Sequence, residues 1–210
     1  MSKDKNIFLL FLEQSWLLLV SSFLFGLMIA LANSAWSPQI AANEKAKLDT
    51  LMKNLITEAN SFDVAIEKLK ITNEKGTTTE INVYKALDGS GKTIGFAFVA
   101  EGSGFADKIK LVIAADSNCQ KLLGYQVLYY NETPGFGSKI KDSFFSSQFV
   151  GAPAGSFELT RTGNAEIIDS QIVAISGATI SSTAVVDIFN TYMNTVKEKL
   201  KEKGLISNGQ

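Results

Sequence analysis

Residues 15–32, SWLLLVSSFLFGLMIALA, run without a single charged side chain. With the apolar shoulder at residues 7–12, that stretch measures about 39 Å as a helix, more than the ~30 Å hydrocarbon core of a bilayer. Trp16 and Trp36 stand near its two ends, where interfacial aromatics anchor a spanning helix. Lys3 and Lys5 precede it, and the next lysine is Lys45. The positive-inside rule therefore predicts a single-pass anchor with a cytoplasmic N-terminus and everything after Trp36 on the outer side. Ala30-Leu31-Ala32 resembles a small-residue signal-peptide cleavage site, the competing reading. The apolar stretch is longer than a signal-peptide core and opens with Glu13, which favours a retained anchor. Glu13 and Gln14 lie at headgroup level or face a partner helix, since a carboxylate facing lipid is costly.

Beyond the anchor, Ile40, Leu48, Leu51, Met52, Leu55 and Ile56 recur at helical spacing, predicting a stalk helix over residues 40–59. From Ile81 the period changes to that of strands. INVYKAL, TIGFAFVA, KIKLVIAA and KLLGYQVLYY are divided by the turn clusters DGSGK, EGSGFAD and DSNCQ. Phe96 and Phe98 alternate with Gly95 and Ala97, a strand with one heavy face. Residues 131–155 read as loop with one short helix, FELT and AEIID as further strands, and residues 182–203 as a closing amphipathic helix. This order predicts an α+β fold: a transmembrane helix, then an antiparallel-sheet domain flanked by helices. The expected divisions are 1–36 for the N-terminus and anchor, 37–75 for the stalk and connection, and 76–210 for the outer domain.

The 210 residues include no His and one Cys, Cys119. Histidine-based catalytic groups, His-ligated zinc or haem, an intrachain disulfide and a Cys₄ cluster are thereby excluded. No metal site or catalytic residue is predicted, so any redox role requires an organic cofactor. With 20 basic and 21 acidic side chains the chain lacks the basic excess of a nucleic-acid binder. ALDGSGKT, residues 86–93, mimics a phosphate-binding loop, but that loop must open a helix, and here a strand follows. Asp88, Gly89 and Gly91 suit a hairpin turn instead.

Two segments carry candidate chemistry. In Ser176-Gly177-Ala178-Thr179, followed by Ser181 and Ser182, the small residues leave the Thr179 hydroxyl approachable. Hydroxyls and free amides at a helix start also favour an anion such as phosphate. The alternative is an N-cap with small packing residues. In Glu132-Thr133-Pro134-Gly135-Phe136-Gly137-Ser138-Lys139 the glycines and proline impose a tight loop that displays Phe136 and offers amide donors to a planar ring. The alternative there is an ordinary surface turn, with Lys139 solvated.

Together with the anchor, Gly102-Ser103-Gly104-Phe105 and Gln148-Phe149, these two motifs resemble the covalent-FMN-binding domain family over nearly the whole chain. Within it the resemblance is to the G subunit of the Rnf electron transport complex, with the C subunit of the sodium-translocating NADH:quinone reductase as the alternative. The resemblance implies FMN joined to Thr179 through a phosphoester, installed from FAD by a flavin transferase. It also implies cofactor contacts from Ser176, Gly177, Ala178, Ser182, Glu132, Thr133, Gly135, Phe136, Gly137 and Lys139. Partners would be the other membrane and iron–sulfur or flavin subunits of a ferredoxin/NAD oxidoreductase coupled to Na⁺ or H⁺, with no turnover by this chain alone. The implied location is the bacterial cytoplasmic membrane, with the FMN domain on its periplasmic or extracellular side. The pattern departs from the family at Val173, where an Asp often stands, with Asp169 four residues upstream. A membrane-tethered ectodomain that only binds a partner is the reading from a different class.

Alkaline carbonate extraction tests the anchor: the chain should stay in the membrane pellet, whereas a cleaved product would be released to the supernatant.

Overall fold

The computed structural model describes residues 4–73 and 76–207. Lys3 and the Lys5 side chain, on which the predicted orientation rests, lie outside the described residues. Among those described, the chain forms three α-helices and seven strands. It divides into two units, residues 1–46 and 47–210.

The first unit is helical throughout its described residues, as part of α1 (Asp4–Leu55). Among the described residues one helix is long and apolar enough to cross a membrane, and none of its apolar window is buried. Leu18, Phe23 and Ile29 are each 70–72% exposed, a pattern that suits lipid rather than water. No separate stalk helix exists, because α1 continues past Pro38 to Leu55. Alanines at 30, 32, 35, 41, 42 and 46 favour helix on both sides of the proline.

In the second unit, β1 (Ser61–Thr72), β2 (Thr78–Leu87), β3 (Thr93–Ser103), β4 (Lys108–Asp116) and β5 (Leu122–Tyr129) form an antiparallel meander in chain order. β1 lies in the segment expected to be a connection. Its register with β2 shifts between Val64 and Ile66 and again between Ile66 and Leu69, where Lys68 takes φ 49°. The bulges put buried Ile66 and Leu69 three residues apart, so the two-residue period that marks a strand is broken.

The two faces of the sheet differ in size. Phe96 and Phe98 of β3 and Leu111 and Ile113 of β4 lie on the heavy face, covered by α3 (Thr179–Glu202) through Val185, Ile188, Phe189, Tyr192 and Val196. The opposite face is made of Ala86, Ala97, Val112 and Ala114, which admit Met52 and Ile56 from the end of α1 and the residue beyond it. A Cβ on Gly95 would stand 2.8 Å from the Ala115 carbonyl of the neighbouring β4 and 3.1 Å from Ile56 Cδ1, so the strand's close approach, with Ile56 packed above, requires glycine there. The alternation of Phe with Gly and Ala in β3 thus sorts a thick layer from a thin one.

Residues 131–155 hold more helix than expected: 3₁₀ turns at Gly137–Lys141 and Ser147–Phe149, with α2 (Ser143–Ser146) between them. They deliver Phe145 and Phe149 to an aromatic cluster with Tyr125, Phe157 and Phe189, in which Phe149 stacks on Phe189 at 4.6 Å and 18°. β6 (Glu158–Thr160) pairs in parallel with β7 (Gln171–Val173). FELT is therefore a strand, but AEIID is a turn. Asn164 Oδ1 accepts from the Glu166 amide and Asp169 Oδ1 from the Gln171 amide, local bonds that compete with a ladder.

The phosphate-loop mimic is the β2–β3 turn. Asp88 Oδ1 accepts from the Ser90 amide, the Ser90 hydroxyl and the Lys92 amide, bonds that hold the Asp88 carboxyl below its usual range. Of its glycines only Gly91, at φ 82°, needs the left-handed region; Gly89 does not.

Cys119 is buried in the β4–β5 turn, and desolvation pushes its thiol up to about 12. The thiol is therefore protonated and shielded at neutral pH. Iodoacetamide at pH 8 should leave the folded chain unlabelled and modify it stoichiometrically in denaturant, read by intact mass.

Candidate functional site

Three loops that are distant in sequence meet over the N-terminus of α3: the β3–β4 turn, the segment after β5, and the turn leading from β7. They enclose a cleft of about 360 Å³ lined by Phe105, Thr133, Phe136, residues 177–181 and Gly137. That volume lies within the range of small-molecule sites.

The Glu132 carboxylate joins the three loops. Oε1 accepts from the amides of Phe105 at 2.9 Å and Ala106 at 3.1 Å, both in the β3–β4 turn. Oε2 accepts from the Ser181 hydroxyl in the first turn of α3. Glu132 is 5% exposed and Ser181 2%. Two glycines make room for this carboxylate. A Cβ on Gly104 would collide with Glu132 Oε1 and lie 2.6 Å from Asp107 O, and one on Gly137 would lie 2.5 Å from Ser181 Oγ. The β3–β4 turn is held a second time by Asp107, which accepts from the Lys108 amide and the Tyr129 hydroxyl. Those bonds keep the Asp107 carboxyl below its usual range, so their contribution is present at neutral pH and lost on acidification.

α3 begins three residues earlier than expected, so Thr179 is its first residue rather than part of the preceding loop. The expected capping by hydroxyls does not occur: the N-cap is Ala178, without a side-chain cap bond. Ser182 instead donates to Ala178 O and accepts from the Ile175 amide, and Thr183 donates to Thr179 O. Gly177 takes φ 79° just before the helix, and Ser181 and Ser182 face the interior. The first helical bond from a backbone amide is made by Ser182, so the amides of Thr179, Ile180 and Ser181 precede the helical ladder. Thr179 is half-buried on the cleft wall, and among the described residues its hydroxyl has no hydrogen-bond partner.

Of the predicted site residues, the structure brings Thr133, Phe136, Gly137, Gly177, Ala178 and Thr179 to the cleft lining. Glu132 and Ser182 lie beneath it, buried. Ser176, Gly135 and Lys139 are outside the lining. Gly135, at φ 76°, donates its amide to Ser138 Oγ and shapes the loop, while Lys139 sits in the following 3₁₀ turn. Val173, where the resemblance departs, is gripped through its backbone: its amide donates to Gln148 Oε1 and its carbonyl accepts from Gln148 Nε2. Phe105, Ile180 and Ser181 fall outside the predicted set. Phe105 has a signal in the Gly-rich turn that displays it; Ser181, whose partner Glu132 lies 49 positions away, has none.

This arrangement fits a flavin nucleotide. Phe105, Phe136 and Ile180 are 55–62% exposed around the cleft, apolar surface suited to a planar ring. The helix-start amides and the unpartnered Thr179 hydroxyl suit the phosphate end. Among the described residues no cluster could hold a metal ion.

Residues 104–194 match the FMN-binding domain family, and that span contains all three loops. The chain is 32% identical over 188 residues to the G subunit of the ion-translocating oxidoreductase complex of Cereibacter sphaeroides, covering 80% of this chain and 79% of that one. The chain belongs to this G-subunit family. Another relative is the corresponding G subunit of Methanosarcina acetivorans, 29% identical with 80% and 85% covered. The G subunit of the proton-translocating ferredoxin:NAD(+) oxidoreductase complex of Clostridium ljungdahlii is 28% identical, with 80% and 82% covered. Two crystal structures share the fold of this chain. One is NqrC of Shewanella oneidensis (TM-score 0.53, 22% identity, covering 66% of this chain and 72% of that one). The other is the C subunit of the Na(+)-translocating NADH-quinone reductase of Parabacteroides distasonis (TM-score 0.52, 20% identity, covering 80% and 96%).

Gly104→Ala should cost about 1–3 kcal/mol, because its Cβ meets the Asp107 carbonyl as well as Glu132. Gly155→Ala, which meets nothing within 4 Å, serves as the control. A thermal melt of the detergent-solubilised chain compares the two.

Proposed function

We propose that this protein is a membrane-anchored flavoprotein that relays electrons within an ion-translocating oxidoreductase complex, with FMN esterified to Thr179. The observation that carries this reading is the Thr179 hydroxyl itself: unpartnered among the described residues, on the cleft wall, at the start of a 24-residue helix and preceded by Gly177 and Ala178. In the attachment, Thr179 Oγ1 forms a bond to the FMN-side phosphorus of FAD. The pyrophosphate P–O bond breaks, AMP leaves, and the hydroxyl proton passes to a base of the flavin transferase.

Bound FMN supplies one- and two-electron redox chemistry, which the Cys119 thiol and the other side chains here do not. The chain's own part is to bind and orient. The amides of Thr179, Ile180 and Ser181 and the positive end of the α3 dipole would hold the phosphate. Phe136 and Phe105 would wall a bound ring, Thr133 and Gly137 would offer it polar and backbone groups, and Ala178 leaves space beside Thr179. An ester bond also prevents loss of the cofactor to the medium on the outer side of the membrane, where the positive-inside rule puts the domain. Its partners would be the membrane and iron–sulfur or flavin subunits of the complex, with electrons derived from a ferredoxin/NAD couple as in the Clostridium relative's name.

Intact-mass analysis of the chain co-produced with a flavin transferase should show a gain of FMN less one water, lost in Thr179→Ala. The denatured wild-type band should fluoresce as flavin. An unmodified wild-type chain would overturn the proposal.

A further inference from the structure

Glu132 and Gly137 would be read from the motif as cofactor contacts, yet Glu132 does not line the cleft. Its two oxygens already accept from two amides of one loop and a hydroxyl of the helix. We infer that Glu132 and Ser181 form a positioning pair that presents the Thr179 hydroxyl for flavin attachment. This rests on the reading of Thr179 as the attachment residue.

The geometry supports that role in three ways. First, Ser181 is two residues from Thr179, about 200° around the helix, so fixing Ser181 against the interior fixes the direction in which Thr179 points. Second, the first turn has no side-chain cap; Ser182 ties it to the segment just before it through the Ile175 amide, and Glu132, through Ser181, ties it to a distant part of the chain. Third, the same carboxylate holds Phe105 and Ala106, so the wall of the cleft and the attachment hydroxyl are set by one group. Gly104 and Gly137 then belong to the pattern because a Cβ at either would run into the Glu132 side chain. Gly177 has a different reason: it takes a positive φ, and a Cβ there would stand 3.2 Å from the Phe136 ring.

Transfer to Thr179 requires its oxygen in line with the phosphorus, and a shift of about 1 Å in such a reaction costs up to ~100-fold. Ser181→Ala removes only the link to the helix and leaves Glu132 bonded to its two amides. Glu132→Gln keeps the shape but replaces a carboxylate acceptor with a carboxamide. Asn194→Ala removes a side-chain hydrogen bond from the same helix, to Ser156 at 3.0 Å, about 20 Å away along the axis, and controls for loosening of α3.

The experiment measures the initial rate of FMN incorporation from FAD by the transferase into the full chain, with melting temperature in parallel. Amide hydrogen exchange at Phe105, Ala106 and residues 179–182 is followed before loading. Ser181→Ala is expected to slow incorporation by about tenfold and to speed exchange in the first turn, while Asn194→Ala does neither. A slowing of less than about threefold in Ser181→Ala, or equal slowing in Asn194→Ala, overturns the inference. Any larger slowing confined to Ser181→Ala supports it. If Glu132→Gln fails to fold, the Ser181→Ala result decides. Wild-type chain that takes up no FMN overturns the reading of Thr179 instead, and unaltered exchange in unloaded Ser181→Ala then overturns the pairing on its own.

Discussion

A buried carboxylate is tolerated only where donors surround it, and Glu132 meets that condition by gathering donors from two other parts of the chain. The β3–β4 turn, the loop after β5 and the start of α3 share no continuous ladder. Between them the carboxylate is the common point, and the small residues at 104 and 137 exist to let it in. The cleft above is therefore a by-product of how one polar group is satisfied below it.

Around that point the domain is built from unequal layers. α3 covers the side of the sheet that carries Phe96, Phe98, Leu111 and Ile113, and the end of α1 lies against Ala97 and Ala114. The thick side anchors the helix whose first residue is Thr179. The aromatic cluster of Tyr125, Phe149 and Phe189 continues that packing under the loop after β5, which explains why a segment rich in glycine and serine holds a defined shape.

Elements whose signal is local were readable from the chain: the alternation in β3 and β4, the stripe of α3, the apolar run of α1, and the hairpin chemistry of Asp88. β1 was hidden because its bulges erase the two-residue period, and AEIID misled because Asn164 and Asp169 turn an apolar pair outward, leaving Ile167 57% exposed. The cleft's motif residues were visible as two short runs, but Ser181 and the function of Gly104 were not. Their partner is Glu132, 49 and 28 positions away, and long-range pairing leaves no local trace.

Thr179 opens the same helix that carries Val185, Phe189 and Tyr192 into the sheet. Freeing that residue alone would mean breaking the first turn away from a helix whose next turns are locked in the core. Local opening is cheapest where few contacts must part, and here it would break the Ser181 bond to Glu132 and the Ser182 bond to the Ile175 amide. A group tethered at this position can swing about its own bonds, but its point of attachment travels only with the whole domain.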